Sequence, residues 1–525
     1  MNDENESNTA SRPADASLEI SEAEMHHLSS RVTQLVTEYF SEVSTLPVFP
    51  ETSGGKTILK IGATLPLVGE PLEQLLEDCQ TIIANSRHNG HPRFFGYVAS
   101  PATAPGAFAD LIASTLNANV TSWRSGPAAT EIEHTVIAWL ASLIGYGSDV
   151  HRVQGLLTSG GSMANMTALL MAHRAKSEPD VAATGLWNLA APMTIYASDQ
   201  IHMSIPKAAD ILGLGRSQVR LVPCDDRFRM NIARLRQTIA DDLSSGLKPF
   251  CVVGSAGTVN TGAVDPLDQI ADVANEFNLW FHIDGAYGAL AALDETRRPL
   301  FRGLDRADSV SLDPHKWLYV PIDSGCLLFR EEARARAAFS FDGADYIKVH
   351  EQNQDEAVAF WNYGPELSRR FRALKIWLTL RYYGVQRIAR SISEDNAMAT
   401  YLGEQVEAAP DFELLAAPEL SICCFRYLPL ALRSPRKSAI DAANASVDAE
   451  LDQLNTDIMN AVQLGGRAYL SSATIGGKFA LRACITNFRT TRANIDQTLD
   501  IIREAAVSQA EPMSKAPRDP LSRAG

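Results

Sequence analysis

Lys316, in Asp313-Pro314-His315-Lys316-Trp317, follows a short β-like run from Ser309 to Leu312. Upstream, Asp284 ends an apolar run from Leu279 to Ile283 and precedes Gly285-Ala286-Tyr287. Lysine and aspartate are seldom fully buried without partners, so both positions call for a chemical reason. A lysine amine forms a Schiff base with a carbonyl compound, and a carboxylate beside a pyridine nitrogen keeps that nitrogen protonated. The pair predicts a pyridoxal 5′-phosphate site, with Lys316 as covalent anchor and Asp284 as partner of the ring nitrogen. The small Gly285-Ala286 step lets a flat ring approach. The plainer alternatives are a lysine snorkelling beside Trp317-Leu318 and an aspartate that caps the next turn.

Three further segments could complete such a site. Thr158-Ser159-Gly160-Gly161-Ser162-Met163-Ala164-Asn165 lies between an apolar run and a helical pattern. Its glycines allow close backbone approach, free amides at a helix start attract phosphate, and Ser162 offers a hydroxyl. A plain capping turn, with Ser162 as cap, is the alternative. His202, in Ser198-Asp199-Gln200-Ile201-His202-Met203-Ser204, could stack on a cofactor ring and steer a proton or a carboxylate. It could equally be a structural hydrogen-bonder. Thr258 sits in the glycine-bearing loop Gly254–Gly262, which reads either as a cofactor contact or as a tight turn.

The elements that must position these residues alternate. From about 101 to 390, helical blocks (Ala107–Leu116, Glu131–Ile144, Ser162–Ala175) are interleaved with short apolar runs. Those runs are Met193–Ala197, Val219–Val222, Phe250–Ser255, Leu279–Ile283, Ser309–Leu312 and Gly325–Phe329. This predicts an α/β domain with a mostly parallel sheet, whose ligands gather at the carboxyl ends of the strands. Residues 21–100 form a helical segment, with amphipathic patterns over Ser21–Thr45 and Leu72–Asn85 expected to pack on a neighbouring subunit or on the main domain. Residues 391–506 read as a small α+β domain. Its strands are expected at Phe412–Ala416, Ser421–Arg426 and Phe479–Thr486, and its helices at Asp448–Leu464 and Ala493–Ala506. Residues 1–20 and 507–525 have the composition of disordered tails.

Bulk properties narrow the function. The formal net charge of −15 argues against a nucleic-acid or anionic-membrane surface. No apolar run is long enough to span a bilayer, and the amino terminus lacks the pattern of a signal peptide. The seven cysteines are dispersed without metal-ligand spacing, which predicts no metal site and fits reduced thiols in the cytoplasm.

Several longer segments then carry a resemblance. They are His91-Pro92-Arg93-Phe94-Phe95-Gly96-Tyr97, Ser125-Gly126-Pro127-Ala128-Ala129-Thr130-Glu131-Ile132-Glu133, the Asp-Pro-His-Lys-Trp motif, and Arg369-Arg370-Phe371-Arg372-Ala373-Leu374-Lys375-Ile376-Trp377. A weaker echo follows in Arg482-Ala483-Cys484-Ile485-Thr486-Asn487. In this order they resemble the group II pyridoxal-dependent decarboxylases, most nearly the aromatic L-amino-acid decarboxylase branch.

The resemblance implies a fold-type I homodimer with a shared active site that decarboxylates an L-amino acid, most readily an aromatic one. It implies Lys316 as the Schiff-base lysine, Asp284 on the pyridine nitrogen and His202 stacked on the ring. Gly161 and Ser162 would hold the phosphate, Thr258 and Ala286 would line the ring, and Asp313 and His315 would help seat the cofactor. Tyr346 would reprotonate the product carbanion from a mobile loop, and Tyr97, Ser100 and Thr121 would lie on the substrate side.

This chain departs from the family pattern in places. The lysine motif often begins with Asn, where this chain has Asp313. Asn119-Val120-Thr121-Ser122, a segment expected to serve the neighbouring subunit's site, stands where the aromatic branch carries bulky apolar residues. Glu351, Asp355 and Glu356 make the loop after Tyr346 more acidic than the pattern.

Rival readings are an aldehyde synthase, a decarboxylase of an acidic or other non-aromatic amino acid, and a cofactor-free scaffold. Aldehyde-forming members often carry Phe at the tyrosine or Asn at the histidine, so Tyr346 and His202 favour simple decarboxylation. The intact set of Lys316, Asp284, His202 and Tyr346 argues against the scaffold.

Overall fold

The computed structural model describes residues 18–62, 64–147, 154–178, 181–340, 359–432 and 441–513. Tyr346 and the acidic residues Glu351, Asp355 and Glu356 lie outside the described residues. The chain falls into two compact units, one drawn from 1–46 and 50–87, the other from 47–49 and 88–525.

The first unit is helical, with helices Glu22–Glu42, Gly54–Ile61 and Leu72–Ala84. The sequence pattern had pointed to the first and third only; the short middle helix starts at Ser53, whose side chain accepts from the Lys56 amide. Ser21 and Glu24 close a reciprocal capping box at the start of the first helix. Glu73 of the third helix bonds His27 and Arg31 of the first, at 2.7 and 2.8 Å.

The second unit is built around a seven-stranded sheet in the order β1-β7-β6-β5-β4-β2-β3. The strands are β1 Gln154–Thr158, β2 Met193–Ser198, β3 Val219–Val222, β4 Lys248–Ser255, β5 Trp280–Asp284, β6 Ser309–Leu312 and β7 Gly325–Phe329. Pairings among β3, β2, β4, β5 and β6 are parallel, and β7 runs antiparallel to both its neighbours. Every residue of β2, β5, β6 and β7 is buried. Strands covered on both faces have no reason to alternate, which is why they read as continuous apolar runs. Helix Gly161–Lys176 packs across β4 to β7 and supplies much of that cover.

Helix Gly161–Lys176 opens on Gly160, whose φ of 144° suits glycine, and has no side-chain cap. Ser162 therefore lies inside the first turn and is not the cap. The helical region expected around residues 367–393 divides into Ala373–Tyr383 and Val385–Ala408, broken at Gly384 with φ 72°. A four-stranded antiparallel sheet follows in the order β10-β11-β9-β8: β8 Phe412–Ala416, β9 Ile422–Tyr427, β10 Ser471–Ile475 and β11 Lys478–Cys484. With helices Asp441–Leu464 and Arg492–Met513 it encloses a separate core that includes Phe412, Phe425, Ile458, Leu481 and Ile502.

Candidate active site

A cavity of about 570 Å³ opens where β1, β2, β4, β5 and β6 end, and Gly161, Ser162, His202, Thr258, Asp284, Ala286, Asp313, His315, Lys316 and Tyr97 all line it. In a parallel sheet the strand ends splay their loops toward one rim, so residues far apart in sequence converge there. Ser100 and Thr121 are not in the lining. Ser100 Oγ donates to the His315 carbonyl at 2.8 Å, which places it behind the lysine motif. Thr121 is buried against Ser125, with the hydroxyl oxygens 3.0 Å apart. Its expected role was in a neighbouring subunit's site, so its place in this chain leaves that expectation standing.

Lys316 is no surface lysine: its Nζ lies 2.9 Å from Asp313 Oδ2, with the side chain only 18% exposed. Asp313 is itself 4% exposed, and its Oδ1 has no hydrogen-bond partner among the described residues. His315 donates Nδ1–H to the Ser324 carbonyl at 2.6 Å, leaving Nε2 3.8 Å from Asp313 Oδ2. Burial lowers the affinity of the His315 ring for a second proton.

Asp284 ends β5 in a nest of donors. Oδ1 accepts the Ala286 amide at 3.2 Å and the Ser311 hydroxyl at 3.3 Å, while Oδ2 accepts Asn165 Nδ2 at 3.0 Å. The Ala286 amide bond is the turn cap the sequence allowed, and none of the three donors is a cation. His202 Nδ1 accepts the Ser204 amide at 3.2 Å and faces the Ser204 hydroxyl at 2.9 Å. Burial pushes the His202 pKa down, against the pull of the Asp284 charge, which favours a neutral ring.

Arg482 of β11 has a role that the sequence pattern did not reveal. It lines the cavity while 3% exposed; its Nε donates to the Val259 carbonyl and its Nη1 to the Tyr97 carbonyl, both at 2.8 Å. Its Nη2 is buried with no partner among the described residues. A buried guanidinium nitrogen left free beside a cavity is suited to an anion. Asn165, Ser204 and Ser311 were also missed as site residues. The signals available for Arg482 were a charged side chain between Leu481 and Ala483 of a strand and its place at the start of the weaker family echo.

These features fit pyridoxal phosphate. The first turn of helix Gly161–Lys176 offers free amides for a phosphate, and Gly161 keeps the cradle open. A Cβ there would stand 2.7 Å from Ala286 Cβ. An amine, an uncompensated carboxylate and an imidazole complete the donor set around one cavity.

Comparison with known proteins agrees. The pyridoxal-dependent decarboxylase conserved domain matches residues 55–428. An aromatic-L-amino-acid decarboxylase of Bacillus atrophaeus is 35% identical over 93% of this chain and 97% of its own length. A 4-hydroxyphenylacetaldehyde synthase of Rhodiola rosea is 30% identical over 91% of this chain and 94% of its own. Among solved structures, mouse CSAD superposes with a TM-score of 0.86 at 29% identity, covering 93% of this chain and 99% of that one. Oryza sativa TDC with PLP and tryptamine gives 0.84 at 26% identity, with the same coverage. A match of this length, on a site with this chemistry, makes the chain a member of the pyridoxal-dependent decarboxylase family, an amino-acid decarboxylase that works with pyridoxal phosphate.

Proposed function

We propose that the protein decarboxylates an aromatic L-amino acid to the amine and carbon dioxide, as a cytoplasmic homodimer. The observation that carries the substrate class is the 35% identity, over nearly the whole chain, to a protein named aromatic-L-amino-acid decarboxylase. Pyridoxal phosphate supplies, when bound, an electron sink conjugated to the substrate's Cα.

The chain's own residues do the rest in this reading. Lys316 would anchor the cofactor and give way to the substrate amine. Gly161, Ser162 and the helix start would hold the phosphate, Asp313 and His315 would flank it, and Thr258 and Ala286 would bound the ring. Asp284 would keep a proton on the ring nitrogen of a bound cofactor. His202 would pack against the ring and orient the substrate carboxylate, toward which Arg482 Nη2 is free to donate. Held by these groups, the carboxylate would be oriented for release. Tyr346 returns a proton to Cα, Tyr97 stands at the substrate side, and Ser100 backs the lysine motif. Thr121 of one subunit would face the site of the other.

A second reading has a specific observation behind it: the similarity to an aldehyde synthase. One experiment separates them. A panel of aromatic, acidic and aliphatic amino acids is assayed for carbon dioxide, amine, aldehyde, ammonia and hydrogen peroxide. Amine and carbon dioxide in equal amounts from aromatic substrates support the proposal; stoichiometric peroxide with aldehyde replaces it with the second reading. Release from acidic substrates alone would overturn the aromatic assignment. Lys316→Ala should lose both bound-cofactor absorbance and turnover, and retained turnover would remove Lys316 from the mechanism.

A further inference from the structure

Beneath the cavity runs a buried chain of hydrogen bonds whose direction is set at both ends. Trp280, His282 and Asp284 are alternate residues of β5, so their side chains share one face. Helix Gly161–Lys176 packs against β5 and brings Asn165 to His282 and Asp284.

The indole of Trp280 can only donate, and it does so to Ser309 Oγ at 2.9 Å. The Ser309 hydrogen is then free for His282 Nδ1, 2.9 Å away. Full burial pushes the His282 pKa down to about 4, so the ring is neutral and carries its proton on Nε2. That proton meets Asn165 Oδ1 at 3.0 Å.

The amide orientation of Asn165 follows. Its Nδ2 hydrogens go to Asp284 Oδ2 at 3.0 Å and to Ser204 Oγ at 2.9 Å. Ser204 in turn directs its hydroxyl hydrogen to His202 Nδ1 at 2.9 Å, where its own amide also donates. His202 is thereby left with its proton on Nε2. The opposite amide orientation would set the Asn165 oxygen against the Asp284 carboxylate and an N–H against His282 Nε2–H, two repulsive contacts in a dry interior.

We propose that Asn165 is a positioning residue that sets the Asp284 carboxylate and the His202 tautomer together, with His282 fixing its orientation. This rests on the reading of the site above and adds to it a single amide serving both sides of the cofactor ring. Removing the Nδ2 donor frees Asp284 to turn and lets Ser204 give up its hold on His202.

The test uses ¹⁵N-histidine-labelled holoenzyme, with the His202 signals identified by their loss in His202→Gln. Cofactor retention is measured alongside, from absorbance during dialysis. Asn165→Asp keeps the shape and removes the N–H donors, and His282→Leu removes the donor that orients Asn165. His282→Gln keeps an N–H near the Nε2 position. Wild type and His282→Gln should show the Nε2–H form of His202 and similar cofactor retention. Asn165→Asp and His282→Leu should show mixed tautomers and cofactor affinity lower by about tenfold or more.

An unchanged His202 tautomer in either variant overturns the proposal, whatever happens to cofactor affinity. If Asn165→Asp does not fold, the contrast between His282→Leu and His282→Gln decides alone. Failure here leaves the decarboxylase reading intact, because that reading stands or falls with Lys316→Ala and the product assay.

Discussion

Asp313 Oδ2 lies 2.9 Å from Lys316 Nζ, across a single helical turn. The carboxylate also abuts Gly161: a Cβ built there would be 3.0 Å from the same oxygen. Asp313 thus joins the Lys316 amine to the start of helix Gly161–Lys176, at the position where the family motif often carries Asn.

Removing the Asp313 carboxylate leaves a mostly buried ammonium without its partner. Asp313→Ala should destabilise the cofactor-free protein by about 3 kcal/mol, and Asp313→Asn, which keeps an acceptor in place, by less. Denaturant unfolding of both variants measures this. Equal stability in all three proteins would show that the pair contributes nothing.

Gly161→Ala adds a methyl group where Ala286 and Asp313 already stand, at 2.7 and 3.0 Å. Overpacking of this kind costs about 1–3 kcal/mol, and here it also pushes on the amides that would hold the phosphate. Titration of the cofactor-free variant with pyridoxal phosphate should give affinity about tenfold weaker or worse. Wild-type affinity would move the phosphate elsewhere.

Arg482→Lys keeps the charge but loses the planar fork that holds the Val259 and Tyr97 carbonyls and leaves Nη2 free. Steady-state kinetics should show a higher KM and kcat/KM reduced by about a hundredfold, the cost of a lost charge-assisted contact. An amine-product analogue without a carboxylate cannot make that contact, so its binding should change little. Equal weakening of both ligands would make the residue structural.

The His282 titration predicts an acid-side loss of stability. Its folded pKa, about 4, lies below the ordinary histidine value of about 6.5, so the unfolded chain binds a proton that the folded one refuses. The contribution is fully present above pH ~6.5 and is lost as pH falls toward ~4, amounting to about 3 kcal/mol. His282→Gln should flatten the stability profile across that window while preserving the hydrogen-bond chain. A profile identical to wild type would place the titration elsewhere, His173 being another buried ring held at about 4.

A buried ion pair supplies a prediction remote from the cavity. Arg369 meets Glu133 with both side chains essentially fully buried, and its guanidinium also donates to the Val120 and Leu157 carbonyls. Arg369→Met leaves the Glu133 charge stranded and should cost about 3–5 kcal/mol in urea unfolding. The double variant Arg369→Met, Glu133→Gln should recover part of that loss.

The sequence by itself determined the chemistry and most of the scaffold. Lys316, Asp284 and the glycine-bearing helix start are local signals, each a chemically loaded residue at the end of an apolar run. β3, β6, β7 and β8 stand at the very residues expected; β6 and β7 are buried throughout, whereas β3 and β8 are buried at their ends and only partly covered between. β1 and β10 were not foreseen as strands: the stretch before Thr158 was read only as an apolar run leading into the helix, and Ser471–Ile475 alternates buried and exposed residues with little apolar content.

Only the tertiary structure decided which polar residues serve the site. Asn165 and Asp284 are 119 residues apart, and Arg482 reaches a carbonyl 385 residues away. Nothing local distinguishes Asn165 from any helix asparagine, or His282 and Ser309 from polar interruptions of a strand. A hydrogen bond depends on distance and direction, and those exist for such pairs only once the sheet has set its strand order.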